Sequence, residues 1–202
     1  MIDTLKLRKT LGWLGMLLPW IVLLLSVVYG FGIPQSISAT YYTPTCITPF
    51  MIILGSSGIL LITYKGYDKQ DDIVCTIAGI LGICICLFPC FSNIAKVGTF
   101  NLPVDVSGWL HNISAIAFFG LLAYNSLCLF TKTVGEMTPN KKKRNIIFKV
   151  CGIGMIASFL VVIPLELLNI DSAIWIMEAL ALMFFGVSWL TKSQCYKWLF
   201  KD

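Results

Sequence analysis

The chain has 202 residues, 57% of them hydrophobic and only 12% charged, against roughly 25% charged in an ordinary soluble domain. Six long apolar runs separated by short polar segments exclude a soluble domain built on one large core. The net charge of +5 sits in short connecting segments, where it reports membrane orientation and not nucleic-acid binding; no RNP-like, zinc-finger or helix-turn-helix pattern accompanies it.

The start, MIDTLKLRKT, is basic and precedes an apolar run, as in a signal peptide. Residues 11–31, however, are longer than a signal-peptide core, no clean small-x-small cleavage site follows, and five more apolar runs come after. They are read as an uncleaved first transmembrane helix with Pro19 as a kink. The uncharged segment GIPQSISATYYTPTCITP reads as a loop or re-entrant piece lying against the membrane. The second helix is expected over 47–64, with Pro49 in its first turn. Its Gly55, Ser56, Ser57 and Gly58 form a small-residue patch that lets a neighbour approach closely.

After the turn YKGYDKQDD, a third helix is expected over 73–91, with Ala78, Gly79 and Gly82 as a second small patch. The fourth, over 107–131, holds the only histidine of the chain, His111. The strongly basic KTVGEMTPNKKKRN is read as a loop. A fifth helix over 146–165 carries Gly152, Gly154 and Ser158 as packing positions, and a sixth covers 173–190. The tail TKSQCYKWLFKD, with lysines and aromatic residues, reads as a surface-lying end.

Six crossings put both termini on one side of the membrane. That side then collects every Lys and Arg except Lys96, a strong positive-inside signal. The expected fold is all-α: one integral membrane bundle of six transmembrane helices over residues 1–202, both termini cytoplasmic. The expected location is the plasma (inner) membrane of a prokaryote.

Candidate chemistry collects on the outer side. Successive helical residues are rotated by about 100°, so Ser107, His111, Ser114 and Asn125 fall within roughly 60° of one another. Such a stripe should face the bundle interior, either as interhelical hydrogen-bond glue or as a functional site. Glu178, about a turn and a half into the sixth helix, costs about 2.5–3.5 kcal/mol on insertion scales unless paired or protonated. His111, at comparable depth, is its expected partner. Ser38 and Tyr42 in the first outer loop, and Asp105 before the fourth helix, complete the ligand-binding or proton-handling candidates. Six of the eight prolines, Pro34, Pro44, Pro49, Pro89, Pro103 and Pro164, also lie on this side, where broken helix ends can line a cavity.

No metal site is expected, because the eight cysteines and single histidine show no zinc-ligand spacing. No cofactor motif is present, and GxSxG, HExxH and Walker patterns are absent. Cys46 and Cys90 fall at outer helix ends and are candidates for a disulfide. Asn112-Ile-Ser114 matches a glycosylation sequon but lies within a transmembrane helix.

The segment PQSISATYYTP, the turn YKGYD and the later LHNISAIAFFGLLAY resemble a group of six-helix membrane proteins that includes the damage-regulated autophagy modulators, the GPI-anchor remodelling factors and prokaryotic relatives. In that group a Pro-x-Ile-Ser-type segment follows helix one and a histidine opens helix four; the matching positions are Pro34, Ile37, Ser38 and His111. The chain departs from the group at Ala39-Thr40-Tyr41-Tyr42, where an acidic, glycine-containing run is usual. The resemblance implies a six-helix bundle and a link to lipids, with no reaction to transfer.

Three functions are compatible with these features: a protein that binds or senses a lipid or small amphiphile in an outward-facing polar pocket, a lipid-modifying enzyme using His111, and a small oligomeric channel or transporter. The expected partners are membrane lipids and, for the channel, further copies of the chain.

Overall fold

The computed structural model describes residues 3–133, 135–167 and 172–195, the side chains of 162–167 excepted. It contains six helices: α1 (Thr4–Val28), α2 (Ile47–Thr63), α3 (Lys69–Leu87), α4 (Val104–Tyr124), α5 (Pro139–Leu167) and α6 (Ala173–Lys192). Each packs on its chain neighbours, and α6 returns to α1, so the helices close into a ring in sequence order. The basic end of the ring carries the chain start, the α2–α3 and α4–α5 connections and the end of α6. The opposite, loop end carries residues 29–46 and 88–103, with a two-residue hairpin in which β1 (Lys96–Val97) pairs antiparallel with β2 (Leu102–Pro103).

Five helices are long and apolar enough to cross a membrane; α2, at 17 residues, is the short one. It nevertheless runs the height of the ring. Cys46, just before it, reaches Val22 near the far end of α1, while Tyr64, just after it, lies beneath the guanidinium of Arg8.

Helix boundaries differ from the expected ones where polar residues extend an apolar run. α1 begins seven residues early because the Asp3 carboxylate caps the amides of Leu5 and Lys6, the arrangement that satisfies orphan N–H groups at a helix start. α3 begins at Lys69 because Asp68 caps Asp71, and it ends at Leu87, ahead of Pro89. The largest correction is at α5. Residues 141–144 are not loop but the first turns of a helix that opens with Pro139, a residue well suited to that position. Its far end includes Glu166, expected in a loop; Asp171 and the tail beyond Cys195 lie outside the described residues.

The interior is small and polar where helices cross. Gly58 of α2 meets Gly79 of α3 backbone to backbone, and Gly12 of α1 meets Gly186 of α6 in the same way. The second pair was not apparent from the sequence because Gly12 and Gly186 lie in different apolar runs, far apart in the chain, and nothing in either run names the other as its partner. The exterior is apolar instead: Trp20, Leu24, Ile59, Ile113, Ile153 and Leu160 are all more than half exposed. So large an apolar surface is untenable in water and ordinary against lipid tails. At the basic end an aromatic cluster closes the ring, with Trp189 edge-on to Tyr64 and Phe130.

A polar cavity at the loop end

Residues 35–42 are folded into the loop end of the ring and pinned to α6. The link is a strut made by Glu178. Its carboxylate accepts the Ile37 amide at 2.5 Å and the Ser38 hydroxyl at 3.3 Å. One turn earlier, the Trp175 amide donates to the Gln35 carbonyl at 3.0 Å. These bonds hold Ser38–Tyr42 as a single 3-10 turn with Ile37 and Thr40 buried beneath it. The segment, expected as a loop or a re-entrant piece lying against the membrane, forms a plug in the bundle mouth.

His111 faces the same space from α4. α3 stops at Leu87, which leaves the carbonyls of its last turn without helical donors. Pro89, having no N–H, cannot serve Ile85 either. The imidazole meets the carbonyl just past this helix end, with Nδ1 at 2.8 Å from the Phe88 oxygen. A carbonyl only accepts, so Nδ1 carries the proton and Nε2 of the neutral ring is left with a lone pair. Nε2 is buried and has no hydrogen-bond partner, although the residue is only 2% exposed. One turn earlier, Ser107 donates to the Pro89 carbonyl at 2.8 Å. Half of the predicted polar stripe is thus stitching between α4 and the end of α3.

His111, Glu178 and Ser38 line one cavity of about 420 Å³, within the range of small-molecule sites, roughly 300–1,000 Å³. Gln35, Ser36, Asn112 and Ser158 add polar groups, while Phe159, Ile174 and Met177 supply apolar wall. A narrower apolar space of about 50 Å³ adjoins it toward the bundle axis, between Phe50, Phe118 and Leu182, and shares Ser38 and Glu178 with it.

The expected direct pairing of His111 with Glu178 is not formed. Each has its own partner, the Phe88 carbonyl and the 37–38 turn respectively. Three other candidates lie outside the cavity lining. Tyr42 donates to the Cys90 carbonyl at 2.6 Å, and burial raises its phenol above the ordinary value. Ser114 is buried in the α4 packing face, and Asp105 is exposed in the first turn of α4. Sequence reasoning missed Asn112 and Gln35, whose neighbours His111 and Ile37 were the available signal. It also missed the Phe88 carbonyl, a backbone group that no residue type marks.

No family model, curated protein or solved structure matches the chain. The arrangement must therefore be read from its own chemistry. Among the described residues no group of three His, Cys, Asp or Glu side chains is placed to hold a metal ion.

The Cys46–Cys90 disulfide is not formed, and both thiols are free. Cys46 is turned inward, its Sγ 3.4 Å from the Val22 carbonyl. Burial, and then the nearby Glu178 carboxylate, push the Cys90 thiol up to about 12, so it is not a nucleophile at neutral pH. Denatured without reductant, the protein should take up one alkyl group on each of its eight cysteines. A shortfall of two in the intact mass would reveal a bond.

Proposed function

We propose that the protein is a six-span membrane protein that binds a lipid or small amphiphile in the loop-end cavity, with both termini on the cytoplasmic side. The observation that carries this reading is the shape of the cavity. Glu178, Ser38 and His111 are among its lining residues, and an apolar pocket that shares Ser38 and Glu178 adjoins it. An amphiphile needs both environments next to each other. The rim residues Asn112 and Ile116 are exposed on the flank of α4, which gives a ligand access from the outer leaflet. The segment Pro34–Ser38 and His111, which carry the resemblance to lipid-linked six-helix proteins, converge here. The apolar exterior and the collection of cations at the other end support the membrane setting and the orientation.

A ligand hydroxyl or ammonium fits the bare Nε2 of His111, which accepts one hydrogen bond, and the remaining lone pairs of Glu178. The test is lipid extraction and native mass spectrometry of the purified protein. A defined amphiphile should co-purify, enriched over the bulk membrane extract. Ala115→Phe, which fills the wall shared by the two spaces, should lose it while the protein stays folded. No enrichment, or unchanged enrichment in Ala115→Phe, overturns the reading.

A second reading rests on the same Nε2. A neutral imidazole with a buried, unpaired lone pair is placed to take a proton from a bound hydroxyl, as a general base does. It requires His111→Ala to abolish turnover of the co-purified lipid while leaving its binding largely intact. The channel reading draws less support, because Phe50, Phe118 and Leu182 crowd the axis beneath the cavity.

A further inference from the structure

At the basic end a second cavity, of about 340 Å³, is lined by five cations and one carboxylate, Glu136. The cations come from separate parts of the chain: Arg8 of α1, Lys132 after α4, Lys141 and Arg144 of α5, and Lys192 of α6. Positive-inside topology requires cations on this side, but it does not require them to converge. Lys142 and Lys143, in the same run, are exposed and lie outside the lining.

Two of the five are satisfied within the protein. Lys132 pairs with Asp68 at 2.7 Å and lies 3.6 Å from Asp71. This pairing lowers the Asp68 carboxyl and raises the Lys132 amine. Lys141 donates to the Phe130 carbonyl at 2.7 Å. Arg8, Arg144 and Lys192 form no ion pair among the described residues. Lys192 is the sharpest case. It is 6% exposed, and its Nζ is buried with no hydrogen-bond partner. It lies over the rings of Tyr67 and Phe130, at 4.2 and 4.6 Å from their centroids. The Nε of Arg8 is likewise buried and unpartnered.

The face of an aromatic ring attracts a cation, but more weakly than water hydrates an ammonium, so the rings alone do not balance its burial. An anion drawn into the cavity would. The excess of cations favours a multiply charged anion, and the guanidinium of Arg144 offers the forked donors that match phosphate oxygens. A water occupies about 30 Å³ of liquid, so the space admits a phosphate together with part of the group that carries it. We propose that this cavity is a phosphate-ester site, with Lys192, Arg144 and Arg8 as the binding cations. The ester is either the headgroup of an anionic phospholipid or a soluble phosphorylated compound. The site is independent of the loop-end cavity.

The test is thermal unfolding of the full chain in nanodiscs. One arm adds inorganic phosphate or glycerol phosphate to phosphatidylcholine discs at constant ionic strength. The other replaces a minority of the phosphatidylcholine with phosphatidylglycerol. Saturable stabilisation in the first arm identifies a soluble ester; stabilisation in the second alone identifies a headgroup; stabilisation in both identifies the phosphate group as the shared determinant. Lys192→Met with Arg144→Gln should weaken the response at least about tenfold, the equivalent of one charge-assisted hydrogen bond. Lys142→Gln with Lys143→Gln should leave it unchanged. If the first pair does not fold, the half-buried Arg144→Gln alone should show the same loss. No response in either arm, or a response that Arg144→Gln retains in full, overturns the proposal.

Discussion

Replacing Glu178 with alanine is expected to release residues 37–42 from α6 and to lower stability by about 2–4 kcal/mol, the cost of stranding a buried donor that had a charged acceptor. The Ile37 amide is the donor in question. Ile37 is 3% exposed, so water cannot easily replace the carboxylate. The Trp175 to Gln35 backbone bond survives the change, and the loss should therefore be local. Hydrogen exchange read on peptides spanning 35–42 should rise sharply, while exchange in α2 and α3 stays at its wild-type level. Glu178→Gln keeps one acceptor oxygen, so about half of the loss should be recovered. His111→Ala should leave the exchange of Ile37 unchanged. The double variant should be additive within about 0.5 kcal/mol, as for residues that share no partner. An Ile37 amide still protected in Glu178→Ala would show that the strut does not hold the plug.

This strut also illustrates what the sequence made legible. Glu178 stood out because a carboxylate inside an apolar run demands a partner, and the demand is real. The identity of the partner was not readable. Its main donor is the backbone of Ile37, and an amide looks the same at every residue. The same holds for the Phe88 carbonyl under His111, which is available only because α3 stops before Pro89. Side-chain periodicity placed Ser107 and His111 on the inner face of α4, and the structure buries both. It does not mark the turn of π-helix at Asn125–Leu129 that continues α4. A shift of one residue in backbone hydrogen bonding leaves no trace in composition. There Asn125 reaches Cys75 of α3 at 3.0 Å and the adjacent Ser126 meets Ser188 of α6 at 2.5 Å, so Asn125, the last residue of the stripe, serves as interhelical glue.

The basic run 141–144 was misread for a related reason. Apolar content marks where a helix is buried in lipid, but charge does not mark where it ends. Lysine and arginine are good helix formers, and Pro139 supplies a start. The helix therefore extends past the apolar segment and carries Lys141 and Arg144 over the basic-end cavity.

Small-residue patches raise the converse problem, since composition names a patch without saying which member is touched. Gly79→Ala and Gly55→Ala are expected to have opposite outcomes for this reason. A Cβ on Gly79 would meet the Gly58 carbonyl oxygen and would lie 2.9 Å from the Ile62 amide nitrogen. Both are backbone atoms of α2, so no rotamer change relieves the contact and the two helices must separate. Overpacking of this kind costs about 1–3 kcal/mol, occasionally more. Gly79→Leu should exceed that and leave little folded protein. A Cβ on Gly55 meets nothing within 4 Å, and alanine there should gain up to about 1 kcal/mol of helix propensity. Unfolding in a denaturing detergent, followed by tryptophan fluorescence, separates the two. Equal tolerance of both substitutions would mean that α2 and α3 do not cross at Gly58 and Gly79. The consequence should reach the loop-end cavity as well. One turn on from Gly79, Gly82 seats Phe118, whose ring would lie 3.3 Å from an added Cβ and which lines the apolar space below Glu178. Separation of α2 from α3 displaces that wall, so Gly79→Ala should lose co-purifying amphiphile in proportion to its loss of stability, whereas Gly55→Ala should retain it.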